Sequence, residues 1–322
     1  MSTKSAALEK EMKARTTKPK KWLRFYRCIP LYLMFLPGAL YLLMDKYLPM
    51  TGLIIAFKRV NWRKGILASD WVGFSNFTYL FRTKDAFTIT RNTILYNVAF
   101  IILGTVLAIT IAIILNEITS KKMKQFYQTV ILLPYLISII VVSYLVFALL
   151  SSETGFINNT VLKAFGMEPI SWYTESKYWP FILIIVHLWK AFGYDSILYY
   201  ATLVGIDQGY YEAAVIDGAN RWQQIWHVTI PNLLPTIITL TLMAIGRIFY
   251  SDFGLFYQVP QNSGPLINIT QTIDTYVYRG LMTTSNIGMS SAAGVYQSIV
   301  GFILVVSANL VVRKLDSDSA LF

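Results

Sequence analysis

Three ionisable residues, Lys190, Asp195 and Arg247, interrupt long apolar runs of this 322-residue chain. A charge in hydrocarbon is costly unless it faces a cavity or a partner, so such groups mark a candidate path for a polar solute. Together with Tyr194 they make up the candidate substrate-path residues: cations and a carboxylate for polar groups, and rings for stacking. Trp189, Tyr199 and Tyr200 add further aromatic surface suited to sugar rings and hydroxyls. At about 1.5 Å per residue, Lys190 falls roughly 16 Å in from the outer start of its run and Arg247 roughly 21 Å in from the inner start of its own. Lys190 and Asp195, five residues apart, diverge by about 140° on an ideal helix and share no face. The plainer alternative for these charges is that they tie neighbouring helices together or reach for the interface.

A second group lies in residues 211–231, Tyr-Glu-Ala-Ala-Val-Ile-Asp-Gly-Ala-Asn-Arg-Trp-Gln-Gln-Ile-Trp-His-Val-Thr-Ile-Pro. This polar island between two apolar runs predicts a loop on one membrane face. Glu212, Ala213 and Ala214 suit a helix, Asp217 and Gly218 a break, and Asn220 the cap of a second helix whose exit Pro231 marks. Small alanines permit close approach, the Glu212 carboxylate can find a basic or amide partner, and Gly218 permits a sharp bend. The pattern describes a helix-turn-helix built to touch another protein.

Catalytic constellations are missing. The chain has no Gly-x4-Gly-Lys-Ser/Thr loop to cradle phosphate, no His-Glu-x2-His and no nucleophile elbow. One cysteine, Cys28, and two histidines, His187 and His227, argue against a disulfide framework and against Cys-based or His-rich metal sites. The expectation is therefore a chain without catalytic residues, metal or cofactor of its own. If ATP drives its work, the ATPase is another chain.

The elements that must carry these groups follow from composition. The chain is 55% hydrophobic and 14% charged with a mean hydropathy of +0.50, whereas soluble domains are roughly 45–50% apolar. Its solvent is a bilayer. A span needs about 20 apolar residues, and six stretches qualify: 28–48, 94–115, 129–150, 179–204, 233–251 and 292–312. The expected architecture is all-α, with a basic tail over 1–27, a first span at 28–48 that is retained rather than cleaved, an external loop at 49–93, a five-helix core over 94–312 containing a loop at 205–232, and a tail at 313–322.

Charge sets the orientation. The net charge of +11 is concentrated ahead of Cys28, in Lys4, Lys10, Lys13, Arg15, Lys18, Lys20, Lys21, Arg24 and Arg27, which reads as a topology signal attracted to anionic lipid and not as a nucleic-acid site. Lys121, Lys122 and Lys124, then Arg221, then Arg313 and Lys314 lie on the same side, placing both termini and the Glu212 loop in the cytoplasm. The first external loop is itself basic, with Lys58, Arg59, Arg63, Lys64, Arg82 and Lys84. Its aromatic run at 71–81 suits a short interfacial helix. The fifth loop, 252–291, is long enough to meet an external partner or reach back toward the path.

The order and spacing in 211–231 resemble the EAA loop of binding-protein-dependent ABC importer permeases. Glu212, Ala213, Ala214, Gly218 and Pro231 match that pattern, and Val228 and Ile230 stand at its two aliphatic places. Residues 71–81 resemble the Trp-Val-Gly-Phe-x-Asn-Phe segment of sugar-type permeases, and Arg91-Asn92-Thr93 their Arg-Asn-Thr ahead of the second span. Residues 273–280 and 292–298 resemble the carbohydrate branch whose namesake is LplB, so the likeness covers roughly residues 22–322. It implies a type I ABC importer (MetI-like) permease fold with six transmembrane helices, N-in/C-in, in a bacterial plasma (inner) membrane, taking up oligosaccharides or polysaccharide fragments. The implied partners are a second homologous permease, two cytoplasmic ABC ATPases binding ATP and Mg, and an extracytoplasmic solute-binding lipoprotein. Glu212, Ala213, Ala214, Asp217, Gly218 and Pro231 are then the ATPase-coupling residues. A rival is a stand-alone ion-coupled transporter with Lys190, Asp195 and Arg247 as coupling groups. A membrane enzyme is a third reading, disfavoured by the missing catalytic motifs.

Overall fold

A computed structural model describes residues 21–283 and 285–315. The tail charges Lys4, Lys10, Lys13, Arg15, Lys18 and Lys20, and residues 316–322 of the expected second tail, lie outside the described residues. The chain divides into two units, 1–54 and 55–322.

The first unit is helix α1, Lys21–Leu42, prolonged by a π-turn at Leu43–Tyr47 and a turn at Leu48–Met50. Its apolar side chains are exposed all round, Leu31, Met34, Phe35, Leu40 and Leu43 among them, as expected of a helix solvated by lipid. An Asp45–Lys46 ion pair at 3.0 Å closes the apolar run.

In the second unit a hairpin pairs β1, Lys58–Arg59, antiparallel with β2, Asp70–Trp71. It uses some of the basic charge of this region internally. Buried Lys58 donates to the carbonyls of Ile66 and Leu67 at 3.3 and 2.5 Å, and Lys64 pairs with Asp70 at 3.2 Å. The aromatic run 71–81 thus begins as strand, and helix α2 occupies Ser75–Arg82. Leu80, fully buried, sets α2 against the later helices.

Helix α3, Asp85–Glu117, starts ahead of the apolar run because its polar opening is satisfied by tertiary contacts. Asn92 Nδ2 donates to the carbonyls of Asn268, Ile269 and Gln271 at 2.9, 3.2 and 3.0 Å, and Thr93 Oγ1 accepts from the Ile273 amide at 3.2 Å. The Arg91-Asn92-Thr93 motif therefore stitches α3 to the segment before the last helix.

The expected unbroken third span is two helices, α4 at Lys121–Leu136 and α5 at Ile139–Leu150, bent by 91°. Pro134 removes a backbone donor near the end of α4, Ile137 closes a tight turn onto the Pro134 carbonyl at 3.3 Å, and Ser138 caps α5 through Ile140 N at 3.4 Å.

Helix α6 spans Trp179–Val204, α7 Gln208–Ile216 and α8 Arg221–Ile245. Pro231 does not end a helix as expected. A π-turn at Ile225–Thr229 precedes it, with the Ile230 amide bonded to the Ile225 carbonyl, and this wider turn relieves the clash a proline ring makes with the carbonyl four residues back. At its far end α8 stops at Ile245, short of the expected 251. Helices α9, Ile273–Met282, and α10, Ile287–Leu315, complete the unit. Among the described residues five helices are long and apolar enough to cross a membrane, six if α4 and α5 count as one broken span. Ala108 and Ala112 on α3 are fully buried against Tyr199 and Leu203 on α6, since small residues let two membrane helices approach closely.

Candidate functional site

A cavity of about 750 Å³ lies among α3, α6 and the end of α8. Its polar groups are Asn97 and Thr105 from α3, His187, Asp195 and Tyr199 from α6, and Arg247, Ser251 and Asp252 from the chain after α8. That last segment is irregular, and irregular backbone at membrane depth must have its polar groups satisfied by protein or by a wet cavity. Asn97 Nδ2 donates to the carbonyls of Thr93, Ile248 and Tyr250 at 2.8, 3.0 and 3.1 Å. Gln297 Nε2 donates to the Phe249 carbonyl at 2.8 Å and to Asp274 at 3.2 Å. Asp274 also accepts from the amide and the hydroxyl of Ser251, both at 2.7 Å. Three side chains from three helices thereby fix the segment that carries Arg247 and Asp252.

Arg247 stands two residues beyond the C-terminus of α8, where carbonyl dipoles favour a cation, and its side chain is exposed into the cavity. Asp252 accepts the Leu255 amide at 3.1 Å through Oδ1 and starts the next helical turn. His187 lies flat on Phe100, ring centroids 3.7 Å apart and 13° from parallel. Asp195 is half-buried, and among the described residues no ion pair joins Arg247 to Asp195 or Asp252.

Of the four candidate path residues the cavity holds Asp195 and Arg247, while Lys190 and Tyr194 lie elsewhere. Lys190 Nζ donates to the carbonyls of Tyr135 and Ile137 at 2.9 and 2.6 Å, capping α4 where Pro134 and the bend leave carbonyls unpaired. Tyr194 stacks on Tyr135 at 4.7 Å. Between them Gly193 is buried against the Ile131 carbonyl, with no room for a Cβ. The divergence expected from the five-residue spacing is what separates the two: Lys190 faces α4 and Asp195 the cavity. Asn97, His187 and Asp252 were not foreseen as lining residues. A lone Asn inside an apolar run was the available signal for the first, and a His there for the second. Asp252 lies outside any apolar run and carried none.

The 205–232 loop forms a compact pair of helices. Asp207 Oδ1 caps α7 through Gly209 N at 2.9 Å. Gly218, with φ +80°, ends α7: its amide bonds to the Val215 carbonyl at 3.0 Å and the Ala219 amide to the Ala214 carbonyl at 2.8 Å, the pairing that satisfies a helix C-terminus through a left-handed glycine. Asn220 and Gln223 cap α8 reciprocally, at 3.0 Å from Gln223 N to Asn220 Oδ1 and 2.8 Å from Asn220 N to Gln223 Oε1. Tyr211 and Thr229 share a hydroxyl hydrogen bond at 3.0 Å across the pair, and Arg221 reaches Glu117 at the end of α3 at 3.6 Å. Thr202 and Thr236 link the roots of α6 and α8 at 3.2 Å.

Glu212, Ala213, Asp217 and Gly218 are exposed on this pair, and Ala214 is half-buried beside a groove of about 240 Å³. Pro231 lies further along α8, past the π-turn. Large apolar side chains surround the polar ones: Ile216 is 85% exposed, Trp222 72% and Trp226 63%. Exposed apolar side chains beside polar ones suit contact with another protein, and the polar pattern along the chain left these three without a distinguishing mark.

In the fifth loop Asp274 of the 273–280 motif is the anchor already described. Arg279 Nε donates to Asn262 Oδ1 at 2.9 Å with its guanidinium 5.7 Å over the Tyr257 ring, and burial pulls its pKa below the usual arginine value.

Residues 104–317 match the model of the family described as binding-protein-dependent transport system inner membrane component. The chain is 34% identical to protein LplB of Bacillus subtilis over 89% of its length and 90% of that protein. It is also 34% identical to the polygalacturonan/rhamnogalacturonan transport system permease protein YteP of the same organism, over 89% of each. Its fold is similar to a chain of a bacterial alginate ABC transporter crystallised with an alginate pentasaccharide-bound periplasmic protein, with a TM-score of 0.83, 31% identity, and coverage of 92% of this chain and 98% of that one.

Proposed function

The chain belongs to the family of binding-protein-dependent transport system inner membrane components, and from that premise we propose that it is one permease half of an ATP-driven importer of oligosaccharides or polysaccharide fragments. It is a multi-pass inner-membrane protein, and permeases of this family have no ATPase site of their own. A second, homologous permease completes the path. Two cytoplasmic ATPase subunits bind ATP and Mg, one of them docking on the 205–232 loop, and an extracytoplasmic binding lipoprotein delivers the sugar.

The observation that carries this reading is mechanical. The helix pair bearing Glu212 and Gly218 is joined by the short connection 205–207 to α6 and runs on into α8, and α6 and the end of α8 present Asp195 and Arg247 to the cavity. A push on α7 therefore passes directly to both walls of the path, the kind of rigid coupling that alternating access requires. Relatives that carry polygalacturonan and alginate support a saccharide cargo.

The test is co-purification. Ile216→Asp with Trp222→Asp, and separately Glu212→Lys, are expected to leave the protein inserted and thermally unchanged while the ATPase subunits no longer co-purify. ATPase retention and sugar-stimulated hydrolysis at the wild-type level in both variants would sink the docking role.

A further inference from the structure

Resting on that reading of the cavity, and in contrast to the uronate polymers for which two relatives are named, we infer that this half of the path selects uncharged, hydroxyl-rich saccharide segments over carboxylated ones, with Asp195 and Asp252 as the residues that set the preference. The cavity wall can be read element by element. Helix α3 contributes no ionisable group, only the amide of Asn97 and the hydroxyl of Thr105. Helix α6 contributes Asp195 and His187, and the segment after α8 contributes Arg247 and Asp252. In the part of the wall that this chain supplies, two carboxylates thus face one guanidinium, and even a cationic His187 would bring that part only to neutrality. Lys190, the other cation of α6, is committed to the carbonyls of Tyr135 and Ile137 outside the cavity.

The carboxylates are also free to work. No ion pair ties Arg247 to either of them among the described residues, and Asp252 spends one oxygen on the Leu255 amide and keeps the other. A sugar hydroxyl donating to a carboxylate makes a charge-assisted hydrogen bond, about twice as strong as a neutral one. The half-exposed ring of Tyr250 offers flat apolar surface to the C–H faces of the same sugar. A uronate has the same ring but brings a carboxylate into a space on the order of 10 Å across, where two like charges repel it and one cation attracts it. At that range and an effective dielectric of about 20, the unbalanced carboxylate disfavours an anion by about tenfold.

The experiment uses the whole transporter in nanodiscs, held with ATP, Mg and vanadate, and measures direct retention of two radiolabelled probes of equal length, a trigalactoside and trigalacturonate. Direct retention removes the binding protein's own selectivity from the comparison. The wild type is expected to hold the neutral probe about tenfold more tightly than the uronate. Asp195→Asn with Asp252→Asn, which keeps size and the Leu255 cap, leaves the Arg247 guanidinium unopposed and is expected to reverse that preference toward the uronate. Arg247→Gln is expected to widen it, which supplies a variant of opposite sign should the first fold poorly. Equal or tighter uronate retention by the wild type overturns the inference, as does a ratio unmoved by either variant. Retention of neither probe by a transporter that still binds its ATPases and hydrolyses ATP also overturns it, and leaves the permease assignment standing. Loss of ATPase association in the wild type would instead strike at that assignment.

Discussion

Replacing Lys190 by Met removes an ammonium that donates at 2.9 Å to the Tyr135 carbonyl and at 2.6 Å to the Ile137 carbonyl. Both acceptors sit at the 91° break between α4 and α5, where no continuing helix can supply amides. A hydrogen bond to a charged group contributes about 1.5–3 kcal/mol, and an acceptor left unpaired in a dry site costs about 1–3 kcal/mol. Lys190 is half-buried, so part of this is recovered by water, and the net loss is about 2–4 kcal/mol. For a chain of this size that lowers the thermal midpoint by roughly 4–8 °C. The assay is a thermal shift of the purified transporter beside saccharide retention at a temperature where both forms are folded. Lys190→Met is expected to melt earlier with retention unchanged, and Lys190→Arg to recover part of the loss. An unshifted midpoint with lost retention would refute the capping role and return Lys190 to the path.

Two further outcomes test the frame around the site. Gly193→Ala places a Cβ on the Ile131 carbonyl, so α4 must move away from α6; overpacking of about 1–3 kcal/mol is expected as a lower thermal midpoint, and an unchanged one would mean that the two helices do not pack as closely as described. Asn92→Leu strands the carbonyls of Asn268, Ile269 and Gln271, and hydrogen exchange should rise across 264–283 while amides in 105–117 stay protected; a uniform rise would show that the stitch is not local.

The parts legible in advance were those that neighbours along the chain decide. The helix-turn-helix at 211–231 could be read because a left-handed glycine after Asp217 and a reciprocal cap between Asn220 and Gln223 are settled within a few residues. Pro231 misled because its usual effect on a helix was cancelled by a π-turn, which leaves no mark in residue type. The break in the third span was not read from the sequence, which runs 129–150 as one span: Pro134 alone does not distinguish a kink from a 91° turn, and the freed carbonyls are capped by Lys190, far along the chain.

For the path, the sequence by itself established that ionisable groups lie within apolar spans and that Lys190 and Asp195 point in different directions, because helical periodicity is a local rule. It also established the family, through spacings that survive without knowledge of the fold. Which of the two faces the cavity was a tertiary decision, made where Gly193 lets α4 press against α6 and claims the Lys190 side of the helix. Asn97 and Asp252 joined the wall only when α3 and the end of α8 met. The charge balance of the cavity belongs to that meeting, since a net charge is a property of a shared space and not of any one segment.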